Sequence, residues 1–278
     1  MKRDAQGKIT HVKIDDPSIK AIPKSAFSCW YNSIENNYGN QDYSRLMNVE
    51  LCDGLLIIGE KAFVECKSLV KIKIPSTVQV IGELAFWGCS QLINVEMSEE
   101  GSLEIIEYRA FGECSLECIK IPPTVKVIGE YAFSECFQLM NVDLSEEGLK
   151  RIGAEAFSGC TSLERISIPS TVKVIGSEAF GGCTQLMHVE LSEEGLESIE
   201  EQTFRNCASL ERIRIPSTIK VIGSEAFSGC TQLMNVELSE EGLESIDERA
   251  FRNCTSLVRI RIPFTVKVIG KRAFYRCT

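Results

Sequence analysis

Phe157-Ser158-Gly159-Cys160-Thr161-Ser162-Leu163-Glu164-Arg165-Ile166-Ser167-Ile168-Pro169-Ser170-Thr171-Val172-Lys173-Val174-Ile175-Gly176 is the stretch that decides the fold. In Ile166-Ser167-Ile168 apolar and polar residues alternate, the signal of a strand with one face buried. Pro169 cannot donate to a strand ladder and helps to end the strand. Val172 and Ile175 bring apolar side chains back inward, and Gly176 opens a tight corner. The next residues, Ser177-Glu178-Ala179-Phe180, predict one short helical or 3₁₀ turn capped by Ser177. One such unit has too few inward residues to bury them alone.

Outward from this stretch the pattern repeats almost throughout. Phe stands at 63, 86, 111, 133, 157, 180, 204, 227, 251 and 274, and a Cys follows each three residues later, from Cys66 to Cys277. An earlier, imperfect unit carries Phe27 and Cys29. Two kinds of unit alternate. The second reads Leu186-Met187-His188-Val189-Glu190-Leu191-Ser192-Glu193-Glu194-Gly195-Leu196-Glu197-Ser198-Ile199, so the true module is a pair, and 157–203 matches 204–250 at most positions. A chain built this way grows by adding rungs, as solenoids do. Eleven strands are expected, near 11–14, 48–51, 71–74, 94–97, 118–121, 141–144, 165–168, 188–191, 212–215, 235–238 and 259–262.

The pattern Cys-x-x-Leu-x-x-Ile-x-Ile-Pro-x-x-Val-x-x-Ile-Gly-x-x-Ala-Phe resembles the BspA-type leucine-rich repeat. The resemblance covers nearly the whole chain. It implies an α/β-type leucine-rich-repeat solenoid, a curved right-handed coil. A parallel sheet of about eleven rungs would line its concave face, with short turns or 3₁₀ segments on the convex side. It also implies binding or adhesion rather than catalysis. The pattern is interrupted at 28–45, is one residue short between Ser115 and Cys118, and stops just after Cys277. The organisation expected is one domain over 1–278: a first repeat at 1–27, an aromatic-rich insertion at 28–45, and regular repeats over 46–278 with the last unit incomplete. That unfinished end predicts either a fragment of a longer protein or an end covered by another subunit, including self-association.

Composition narrows the function classes. The 278 residues are 44% hydrophobic and 25% charged, as in globular domains rather than disordered or fibrous chains. No apolar run is long enough to cross a membrane. Met1 to Lys8 has no apolar stretch behind its charges, so no signal peptide is expected. A net charge of -9 argues against a general nucleic-acid binder. Two histidines, His11 and His188, leave little for His-based catalysis or a His-rich metal site. No phosphate-binding loop is present, and no nucleophile stands with an orienting partner. Catalytic residues, metal and cofactor are accordingly not expected.

Ten of the thirteen cysteines belong to the repeat. In register they stack in one interior column, where buried Cys behaves as a small hydrophobe. With parallel side chains the Cβ gap between neighbours exceeds that of a disulfide, so a reduced packing ladder is expected. Free thiols and the missing leader favour a reducing, cytoplasmic setting, with the cell surface as the alternative. Cys29, Cys52 and Cys118 fall off the column. Cys118 takes an outward strand position and is the candidate reactive thiol.

Charges form columns on the outward sheet face. The residue between the two inward positions reads Lys13, Glu50, Lys73, Glu96, Lys120, Asp143, Ser167, Glu190, Arg214, Glu237 and Arg261. Opposite signs on neighbouring strands attract, and a slip of one unit would align like charges. Ser167 breaks the alternation. Toward the C-terminal end Arg212 and Arg259 join Arg214 and Arg261 around Glu237, and Arg forks suit carboxylate, phosphate or sulfate. Glu99-Glu100, Glu146-Glu147, Glu193-Glu194 and Glu240-Glu241 predict an acidic ridge, and Met47, Met140, Met187 and Met234 share another rim position. Trp30, Tyr31, Tyr38 and Tyr43 in the insertion are residue types favoured as binding anchors. The function expected is a non-catalytic protein-interaction scaffold using the concave sheet or its rim, the partner carrying an anionic group. The alternative is a surface adhesion module for an anionic glycan or matrix component.

Overall fold

The computed structural model describes residues 1–29 and 43–277. Each rung places a long strand on one face of the coil. A two-residue strand follows on a second face, and a run of tight turns on a third. The long strands include Lys71–Lys73, Asn94–Glu96, Cys118–Ile121, Arg165–Ile168, His188–Leu191 and Arg212–Ile215. They pair in parallel and in register, so that Arg165 meets His188, Ile166 meets Val189 and Ser167 meets Glu190. Their burial alternates exposed and buried, as the sequence pattern requires.

The long strands do not form one continuous sheet. A five-stranded sheet ends at Asn94–Glu96, and a seven-stranded sheet begins at Cys118–Ile121. The break falls where the unit between Cys114 and Cys118 is one residue short, so the chain enters the next strand early. At the N-terminal edge Lys2–Arg3 folds back antiparallel on Ile9–Lys13, a hairpin that the repeat pattern does not announce. The two-residue strands make two parallel ladders of their own, one of seven strands ending at Val174–Ile175 and one of four beginning at Ser198–Ile199, which the sequence pattern does not announce either.

The helical or 3₁₀ turn expected at Ser177–Phe180 does not form, and no helix of either kind occurs among the described residues, which corrects the α/β assignment. Ala179 N–H donates to the Gly176 carbonyl at 3.3 Å across Glu178, whose φ is 56°. That is a turn with a left-handed third residue, the type II geometry, and a left-handed residue cannot continue a right-handed helix. Each such residue costs about 1–2 kcal/mol. The offset comes from bonds between rungs. Glu155, Phe157 and Gly159 donate their N–H groups to the carbonyls of Ser177, Ala179 and Gly181 at 2.9, 2.8 and 2.8 Å. The same three donors recur from rung to rung.

Glycine is required where a turn passes under its neighbour. Gly242 has a φ of 96°, and a Cβ there would collide with the Ser217 carbonyl. Gly148 stands in the same relation to Pro123.

The interior is one core running from Ile9 to Ala273. Its spine is the Phe column. Phe133, Phe157 and Phe180 are fully buried, with ring centroids 5.2 and 5.4 Å apart and planes within 4°. Such offset stacks add to area burial. The Cys column lies beside it, and no disulfide is present among the thirteen cysteines. These thiols are more than small apolar fillers. Cys160 Sγ donates to the Phe133 carbonyl at 3.2 Å and Cys183 Sγ to the Phe157 carbonyl at 3.2 Å, one rung back in each case. Burial pushes the Cys183 thiol up to about 12, so it stays protonated and keeps its donor.

Candidate functional site

The outward side chains of the long strands form two columns with different electrostatics. In the column that begins each strand, Arg165 pairs in register with His188, His188 with Arg212, Arg212 with Asn235, and Asn235 with Arg259. All five side chains are exposed, and the column holds no carboxylate. Among the described residues, no ion pair joins Arg165, Arg212 or Arg259 to an acid. Adjacent strands lie about 4.8 Å apart, so these three arginines recur every ~10 Å along the axis.

The other column is compensated, though not mainly by the neighbours that the sequence suggests. Its register is as expected, with Lys120 against Asp143 and Arg214 against Glu237. For Lys120, Arg214 and Arg261 the closest acid nevertheless comes from the rim of the preceding rung. Lys120 meets Glu99 at 2.7 Å, against 3.9 Å to Asp143. Arg214 meets Glu193 at 2.9 Å, and Arg261 meets Glu240 at 3.0 Å. Glu99 holds the Lys120 ammonium in its charged form, above its usual pKa. Exposed pairs of this kind contribute little to stability, so they aim side chains more than they hold the fold. One glutamate in three of the four acidic pairs, Glu99, Glu193 and Glu240, is thereby used as a clamp, a role invisible in the sequence because the partner lies across a turn.

Ser167 marks where the clamp fails. Its short side chain leaves a shallow cleft of about 310 Å³, lined by Arg165, Ile166, Ser167, His188 and Glu190. A second cleft of about 380 Å³ lies toward the N-terminal end and includes Asn48, Glu50, Lys71, Lys73 and Glu96. Beside the uncompensated column, Met187 and Met234 line the rim, 36% and 49% exposed.

Of the four candidate arginines, the structure thus sets Arg214 and Arg261 against glutamates and leaves Arg212 and Arg259 facing solvent. Arg165 and His188, not singled out as binding residues from sequence, extend the same line. The signal available was the absence of any acid at the first strand position. Tyr43 is half-buried and packs edge-on against Phe27 at 5.3 Å, and burial raises its phenol pKa. Trp30, Tyr31 and Tyr38 lie outside the described residues. Cys118 is exposed at the start of its strand. No group of three or more His, Cys, Asp or Glu able to hold a metal ion occurs among the described residues, and no described helix is long and apolar enough to cross a membrane.

A parallel solenoid with one core, a repeating Phe and Cys spine and an exposed strand face is a leucine-rich-repeat architecture. The chain belongs to the family of the BspA type leucine rich repeat region, whose model matches residues 32–140, 56–173 and 150–278 in six copies. Proteins with leucine-rich repeats are generally interaction or surface-associated modules. Among solved structures the chain is similar to a leucine-rich repeat protein from Bacteroides ovatus, with a TM-score of 0.59 and 25% identity over 96% of this chain and 85% of that one. It shares its fold with the pneumococcal vaccine antigen PcpA, with a TM-score of 0.55 and 22% identity over 99% of this chain and 71% of that one. A leucine-rich repeat protein from Eubacterium ventriosum gives a TM-score of 0.51 and 22% identity over 96% and 90% of the two chains. No curated protein matches the chain.

Proposed function

We propose that this chain is a non-catalytic scaffold that binds another protein through its long-strand face. An acidic segment of the partner docks along Arg165, His188, Arg212 and Arg259. The observation that carries this reading is the column without carboxylates: its arginines are exposed and uncompensated, whereas the neighbouring column neutralises itself. Guanidinium forks take carboxylates in a bidentate geometry. The half-exposed Met187 and Met234 beside them offer an adaptable apolar margin.

The probes are a fluorescent poly-glutamate peptide and a sulfated polysaccharide. Replacing Arg212 and Arg259 with Ser is expected to weaken peptide binding at least tenfold, about 1.4 kcal/mol, with the thermal midpoint little changed. Raising the salt should weaken the unaltered complex through screening. Replacing Lys73 and Lys120 with Ser, toward the other end, should leave binding nearly intact. Equal losses in the two double variants would overturn the site. Retention of the polysaccharide alone would favour the adhesion reading.

A further inference from the structure

We propose that Cys29 and Cys66 are a disulfide-forming pair, the site at which oxidation joins the first rung covalently to the second. Along the rest of the column, cysteines share one register. Their side chains leave successive rungs in parallel, with Cβ atoms about 4.8 Å apart, beyond the roughly 3.5–4.5 Å of a disulfide. Cys29 departs from that register. It follows Phe27 by two residues, where Cys66 follows Phe63 by three.

The backbone shows what the offset does. Cys29 N–H donates to the Val64 carbonyl at 2.9 Å, and one rung later Glu65 makes the equivalent bond to Trp87 at 2.7 Å. Cys29 therefore stands in the place of Glu65 rather than that of Cys66. Glu65 is left-handed with a φ of 59°, and Cys29 is not among the left-handed residues. Its side chain turns back over the column, and the two sulfurs approach to 3.5 Å. Both reach the same acceptor, the Phe27 carbonyl, Cys66 at 3.1 Å and Cys29 at 3.8 Å. Cys66 keeps the contact that every column thiol makes, and Cys29 is the added partner.

Access fixes the order of events. Cys29 is half-exposed and Cys66 is buried, so a small oxidant meets Cys29 first. With hydrogen peroxide, the Cys29 sulfur takes one peroxide oxygen, giving a sulfenic acid and one water. The Cys66 sulfur then attacks the Cys29 sulfur, and the sulfur–oxygen bond breaks. The departing hydroxide takes the Cys66 proton as a second water. Two thiols and one peroxide give one disulfide and two waters. Burial raises the Cys66 thiol pKa and keeps it protonated, which makes the second step the slow one. A reducing compartment keeps the pair open, and an oxidising one closes it. The pair lies apart from the arginine column and does not depend on that assignment.

The test uses the unaltered, fully reduced chain, so it does not rely on any variant folding. The protein is titrated with hydrogen peroxide, alkylated, digested without reduction and mapped by mass spectrometry. The expected product is a single cross-link between Cys29 and Cys66, lighter by two hydrogen atoms, formed before any loss of the buried column thiols from Cys89 to Cys254, the exposed Cys118 being outside that set. Cys29→Ser abolishes it, and Cys118→Ser leaves it unchanged. The proposal falls if Cys29 proceeds to sulfinic acid while Cys66 stays free, or if the first disulfide is intermolecular or joins another pair.

Discussion

Between pH 8 and pH 10 the folded protein is expected to lose about 2 kcal/mol of stability for each of Cys136, Cys183 and Cys230. Burial pushes these three thiols up to about 12, whereas an unfolded cysteine titrates near 8.5. Below about 8.5 both states hold the proton, and the contribution is fully present. As the pH rises toward 12 the unfolded chain sheds its protons first, so the equilibrium moves toward unfolding. Together the three thiols remove about 6 kcal/mol, comparable with the whole stability of many domains. Cys89, Cys114, Cys160 and Cys207 shift in the same direction, each chiefly through burial. Thermal midpoints in reducing buffer from pH 7 to 10 check this. The triple variant Cys136→Ala, Cys183→Ala, Cys230→Ala should fall less steeply with pH than the unaltered chain, and parallel slopes would refute the mechanism.

Phe157→Ala is expected to cost about 3–5 kcal/mol. Phe157 is fully buried and sits between Phe133 and Phe180 in the ring column, so truncation leaves a cavity bounded on both sides. The two neighbouring rungs cannot close over it, because bonds from the turn face fix their separation at Phe157 N–H to Ala179 and Phe133 N–H to Ala156, both 2.8 Å. Phe274, stacked on Phe251 at 5.4 Å and only half-buried, is the matched comparison. Its truncation should cost about half as much, since part of its surface already meets water. Urea unfolding of both variants measures the difference. Equal costs would mean that the column contributes area alone, without confinement.

The spacing of Phe and Cys made the rung legible, because a period near 23 with fixed inward positions allows few architectures. Strand positions followed from two-residue alternation such as Ile166-Ser167-Ile168. The turn face did not follow. Ser177-Glu178-Ala179-Phe180 reads as helix-compatible, and nothing in Glu178 announces a left-handed backbone, which is imposed by bonds to the next rung. The thiol donors were hidden because a buried Cys reads as an apolar residue until an acceptor is placed beside it. The arginine cluster was visible as composition. Which arginines are free was not, because Glu193 and Glu240 reach Arg214 and Arg261 from another rung. The displacement of Cys29 by one position was written in the chain, in Phe27-Ser28-Cys29 against Phe63-Val64-Glu65-Cys66, and its meaning emerged only with the sulfur contact.

The alternation of cation-bearing and anion-bearing strands has a hereditary side. Arg214 faces Glu237 and borrows Glu193 from the rung before it. Duplicating or deleting one rung would therefore set like charges in register at the junction and orphan a clamp. Copying two rungs, as in 157–203 and 204–250, leaves every junction as it was. Rearrangement by even numbers of rungs is therefore expected to disturb the charge columns less than rearrangement by odd numbers. The coil is thus expected to lengthen most readily in pairs of rungs, and Ser167 interrupts the alternation of charge without changing the count.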